Sequence, residues 1–149
     1  MVLGDNGVGE LGIGGTMDKR RPTRVGDGSD WALVDAGGDY SCATRVDGTV
    51  WCWGYNMYGE LGDGTLHRRA TPAQVGTGTD WSGIGAGGAH TCALRTDDTL
   101  WCWGRNEFGE LGLGDKRTAS SPNRSRCRYR SRGSASTTAN RGRPAPPPS

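Results

Sequence analysis

A fixed interval of 50 residues governs most of this chain. Trp31 recurs as Trp81 and Cys42 as Cys92; the block Trp51-Cys52-Trp53-Gly54 returns as Trp101-Cys102-Trp103-Gly104. The block Gly9-Glu10-Leu11-Gly12 is met again at 59 and at 109. Residues 26–75 laid on 76–125 without a gap give 23 identities in 50. Self-similarity at such a period means that one supersecondary unit is repeated, with each copy burying its apolar face against the next.

Composition indicates what the unit is made of. Glycine supplies 27 of 149 residues and hydrophobic side chains only 33%, while six tryptophans stand beside a single phenylalanine. So much glycine opposes helices and favours short strands joined by turns. Residues 32–36, 40–45 and 49–53 read as three strands rich in apolar, β-branched and aromatic side chains. Val46-Asp47-Gly48 between the last two suits a three-residue hairpin loop that ends in a left-handed residue; Asp98 takes that place in the second copy. On the third strand Val50 and Cys52 point one way, Trp51 and Trp53 the other, so both faces are apolar and both need cover. Sheets stacked around an axis meet that need, which points to propeller blades.

The pattern resembles the RCC1 (BNR-type) repeat. Trp53, Gly54, Asn56, Gly59, Leu61 and Gly62, repeated as Trp103, Gly104, Asn106, Gly109, Leu111 and Gly112, match its W-G-x-N-x-x-G-Q-L-G element, with Glu60 and Glu110 where glutamine is usual. The resemblance implies an all-β, incomplete propeller of about two and a half blades. Its parts are a partial repeat at 1–25, repeats at 26–75 and 76–122, and a tail at 123–149. It also implies protein regulators, among them an exchange factor for a small GTPase.

Four of the five cysteines obey the period. Counting outward from the hairpin brings Cys42 opposite Cys52 and Cys92 opposite Cys102, at a separation that suits a disulfide. Two disulfides within blades are therefore expected, and with them an oxidising compartment, extracellular or cell surface, with the cytoplasm as the alternative. A zinc tetrathiolate competes poorly, since ten-residue spacing is not the short grip of structural zinc sites. Cys127 has no counterpart.

Nothing assembles into catalytic chemistry, and neither an enzyme nor a cofactor is expected. Gly7-Val8-Gly9-Glu10-Leu11-Gly12 fits a dinucleotide fingerprint in letters only, because its copies carry Met57 and Glu107 in place of Gly7. His67 and His90 occupy unlike repeat positions. The recurring Asp30/Asp80 and Asp47/Asp97 suit turn hydrogen bonds to the backbone. Trp53 and Trp103 are read as core, and Trp31 and Trp81 as the pair that is partly exposed.

Charge divides the chain. Residues 1–118 hold all 16 acidic side chains and 11 basic ones, whereas 119–149 hold seven arginines and no acid. That stretch closes in Pro144-Ala145-Pro146-Pro147-Pro148 and is expected to be disordered. It is either a basic arm for nucleic acid or the next blade read in a shifted frame. Nucleic acid is expected nowhere else, and no apolar run is long enough to span a membrane.

What varies between copies is the loop set: Tyr55, Met57 and Tyr58 against Arg105, Glu107 and Phe108, together with residues 66–70. Variation on a repeated frame is how such proteins build contact surfaces. The expected function is binding of a protein partner, with GTPase exchange or a truncated, inactive reading frame as alternatives. Self-association through uncovered blade faces is expected as well.

Overall fold

The computed structural model describes residues 1–127, which form ten strands and no helix. Strands β1 (Val2–Gly4) and β2 (Lys19–Thr23) make a two-stranded sheet; β3 (Trp31–Ala36), β4 (Tyr40–Arg45), β5 (Val50–Gly54) and β6 (Arg69–Gln74) make a four-stranded blade. A second blade follows from β7 (Trp81–Ala86), β8 (His90–Arg95), β9 (Leu100–Gly104) and β10 (Ala119–Arg124). All pairings are antiparallel between neighbours in sequence, the meander that a propeller blade requires.

The hairpin forms as its residues dictate. Gly48 and Asp98 both adopt positive φ, 77° and 62°, and Gly48 N–H donates to the Arg45 carbonyl at 3.0 Å. The register that follows sets Cys42 against Cys52 and Cys92 against Cys102, with Cα atoms 4.1 Å apart in each pair, and both pairs are disulfides. The tetrathiolate is thereby excluded for these four.

The core lies between the blades. Cys42, Val50, Cys52, Tyr40, Leu61 and Val75 of the first blade meet Trp81, Ala93 and Trp103 of the second. One face of each blade is thus covered by the other, and Trp53 and Trp103 are 2% and 0% exposed. Trp31 and Trp81 part company: Trp31 is half-buried, but Trp81 is buried at 5%. Expecting both to be partly exposed was incorrect for Trp81, because β3 and β4 cover β7 while nothing equivalent covers β3.

The fourth strand of each blade has no apolar alternation to announce it. Strands β2, β6 and β10 contain Pro22, Pro72 and Pro122, tolerated because each is an edge strand paired on one side only. β10 also moves the expected tail boundary at 123. Asn123 and Arg124 still pair with Cys102 and Trp101, and Ser125 N–H donates to the Leu100 carbonyl at 2.8 Å, as Val75 does to Val50. A ladder is made by the backbone, so a buried serine can stand in the valine's place. The remaining arginine- and proline-rich stretch lies outside the described residues.

Each disulfide closes a loop of about ten residues and should stabilise the fold by about 3 kcal/mol through the chain-entropy effect. The Cys42→Ala/Cys52→Ala double variant should lose about that much in urea unfolding. The native, unreduced chain should take up a single maleimide, at Cys127.

Candidate functional site

The turn after each third strand is built from the repeat's most distinctive residues. Asn56 is fully buried: its Oδ1 accepts from Leu61 N–H at 3.0 Å, while Nδ2 donates to the Thr65 and His67 carbonyls at 3.1 and 3.0 Å. Asn6 and Asn106 do the same in their own units. Glu60, 1% exposed, accepts from Tyr58 N–H at 2.9 Å. Burial holds its carboxyl above the usual carboxylate range.

This turn also joins one blade to the next. Trp103 Nε1–H donates to the Glu60 carbonyl at 2.8 Å, and Trp53 to that of Glu10 at the same distance. Gly62 has φ +65°, and a Cβ there would stand 2.6 Å from the Trp103 indole; Gly12 meets Trp53 identically. Of the glycines in the apparent dinucleotide fingerprint, Gly12 is therefore the seat of a neighbouring ring, while Gly9 lies against the Ala70 backbone.

Sequence reasoning missed the role of Arg45 and Arg95. Arg45 lies over Trp31 and Trp51, 4.6 and 4.4 Å from their centroids, and Arg95 over Trp81 and Trp101 at the same two distances. Asp30 and Asp80 face these guanidinium groups at 3.8 and 3.4 Å, so they form ion pairs and not the turn hydrogen bonds expected. Asp47 and Asp97 do make the turn: each accepts from the hydroxyl and N–H of the threonine two residues on, which holds both carboxyls below the usual range. Recurrence of Asp-Trp, Arg and Trp at 30/31, 45 and 51 and again 50 residues later was the available signal.

The varying loops of adjacent blades come together outside this frame. Arg105 lies 5.5 Å from the ring centroids of both Tyr58 and Phe108, and its guanidinium is bound by Glu107. Met57 is 65% and Phe108 78% exposed. Beside them a cleft of about 340 Å³ is lined by Val8, Tyr55, Met57, Leu66, His67 and Arg68. His90 lies on another strand, apart from His67. Among the described residues no three His, Cys, Asp or Glu side chains are gathered as metal ligands.

The family model described as "Regulator of chromosome condensation (RCC1) repeat" matches residues 47–94 and 97–128, and a second model of that description matches 31–60 and 81–110. The chain belongs to the RCC1 repeat family. Among solved structures it is similar to human WBSCR16, at 22% identity and TM-score 0.71 over 82% of this chain and 33% of that one. Yeast RCC1 (Prp20) bound to Kap60 gives 20% identity and TM-score 0.72 over 82% and 32%. Prp20p of Saccharomyces cerevisiae, described with its binding properties to Gsp1p and histones, gives 20% and 0.70 over 82% and 33%. At these identities the likeness is one of fold, and the RCC1 repeats here span about a third of each relative's length. No curated protein matches the sequence.

Two stability effects follow. Gly62→Ala forces a Cβ into an indole and strains a left-handed backbone, and should cost about 2–4 kcal/mol in urea unfolding. Glu60 has a raised pKa in the folded state, so the fold loses stability as pH climbs from the unfolded-state value through the folded one. Glu60→Gln, which keeps the acceptor for Tyr58 N–H, should melt higher than the parent at about pH 7, with the gap closing near about pH 4.

Proposed function

We propose that this chain is a protein-binding module whose contact surface is the loop patch of Met57, Tyr58, Arg105, Glu107 and Phe108. The observation that carries this reading is the Arg105 guanidinium spanning Tyr58 of one blade and Phe108 of the next. Two loops that differ between copies thus form one surface. Exposed aromatic rings beside an arginine are the composition of interface anchors. The buried Trp, Asn and Gly positions hold the blades, which leaves the loops free to vary. The two disulfides support an oxidising setting, outside the cell or at its surface.

GTPase exchange is the second reading and rests on family membership alone, since no residue of an exchange site carries over to this repeat. A nucleotide-release assay against small GTPases separates the two: acceleration by the full chain favours exchange.

Peptide binders selected by display on the full chain should lose about tenfold or more in affinity on Phe108→Ala or Arg105→Ala, with the melting temperature unchanged. Binders that tolerate both substitutions would place the contact surface elsewhere.

A further inference from the structure

The two junctions between units carry the same loops with different chemistry. At the first, Val8 of one turn faces Tyr55, Met57, Leu66, His67 and Arg68 of the next unit around the cleft of about 340 Å³. Fifty residues on, the same positions hold Tyr58, Arg105, Glu107, Lys116, Arg117 and Thr118. There the chain bridges its own loops, because Arg105 lies over both Tyr58 and Phe108 and is bound by Glu107. At the first junction Tyr55 and Met57 cannot form such an ion pair, and the space between the loops stays open. The two units are nonetheless in contact beside it: Gly9 lies against Ala70, and Gly14 N–H donates to the Ala70 carbonyl at 2.8 Å. Met57 and Leu66 belong to the blade that stands between two others, yet they are 65% and 55% exposed.

Size and wall chemistry restrict the occupant. About 340 Å³ is at the low end for a ligand site, room for one or two side chains and not for a folded element. Asn56 also borders the cleft, but its amide is spent within the turn, on Leu61 N–H and the Thr65 and His67 carbonyls. What remains is apolar, apart from the exposed His67 and Arg68, and the lining holds no carboxylate. His67, Arg68, Lys116 and Arg117 are all exposed and make no ion pair among the described residues. The carboxylates on the same two segments are engaged already: Asp63 by Arg69 and the Thr65 hydroxyl, Asp115 by Arg117 N–H. The chain's own residues 128–149 hold five arginines and no acid, so they would bring like charge to this rim. A flat bilayer would leave the concave cleft unfilled, whereas an extended segment can fill it with one side chain and run on over Tyr58 and Phe108.

We propose that the partner is an acidic, extended peptide segment that seats one apolar side chain in this cleft. Its carboxylates lie against His67 and Arg68 and, past Tyr58, against Lys116 and Arg117. The proposal rests on the protein-binding reading above and gives the partner its chemistry.

The test pans a displayed library of random short peptides against the full-length chain and measures the winners as synthetic peptides by fluorescence anisotropy. Winners are expected to carry net negative charge around a single leucine, methionine or aromatic residue. Leu66→Asp should weaken them by about tenfold or more, and so should the Arg68→Glu/Lys116→Glu double variant. These side chains are exposed, so melting temperatures should stay those of the parent. Arg24→Glu, at an exposed cation after β2 that does not line this cleft, should leave binding unchanged. Winners that are neutral or basic, that survive both changes, or that respond as strongly to Arg24→Glu overturn the proposal. If such winners still lose affinity on Phe108→Ala, the binding-module reading stands without it; if they are indifferent to Phe108 and Arg105 as well, both fail. Sedimentation of the chain with phosphatidylserine vesicles, lost on Leu66→Asp, would assign the patch to a membrane and also overturn the proposal.

Discussion

One hydrogen bond recurs at every junction between units: an indole N–H reaching back to the backbone carbonyl of the preceding turn. Trp103 makes it to Glu60 and Trp53 to Glu10, each at 2.8 Å. A tryptophan has one donor and a large apolar face. When the donor is anchored, the plane of the ring is fixed, and everything beneath it must be flat. Gly62 and Gly12 meet that requirement, since neither leaves room for a methyl group. The buried Asn56 stiffens the turn that carries the accepting carbonyl, by satisfying one N–H and two carbonyls that have no strand partner. The same contact, repeated from unit to unit, thus helps to set the twist and spacing between blades, beside the bonds that β3, β4 and their loops make to β7 and β8.

Within a blade two devices act on opposite faces of the central hairpin. The Cys42–Cys52 disulfide locks the face that meets the next blade. On the other side the Arg45 guanidinium lies over both Trp31 and Trp51. Guanidinium is suited to this place because it stacks on rings while remaining charged. Asp30 then offers the counter-charge from the start of the strand. A chain poor in isoleucine and phenylalanine can in this way shield the tryptophans on the second face of its hairpins.

The parts legible in the sequence were those governed by periods of two and of fifty. Strand alternation around Trp51-Cys52-Trp53, the hairpin glycine and the cysteine register follow from local geometry, and the structure keeps them. The edge strands β2, β6 and β10 were not legible, because a strand that only closes a blade needs no apolar face and accepts proline. The bond at Ser125 was not legible for a related reason: serine stands where Val25 and Val75 stand in the other units, while the backbone that makes the ladder is unchanged. Arg45 and Arg95 were hidden because a lone arginine reads as a solvated charge until its two tryptophans are known to flank it.

The sequence by itself determined the repeat, its strand content and the residues at each structural position, since these depend on chemistry within one unit of 50 residues. Tertiary structure decided which copies of a residue are alike in environment. Trp31 and Trp81 share a local sequence, yet one borders a cleft and the other a core. It also decided that Tyr58 and Phe108, 50 residues apart, flank the same guanidinium. Burial and contact between units are set by what stands opposite in space, and a linear pattern repeats identically whether or not a neighbour is there.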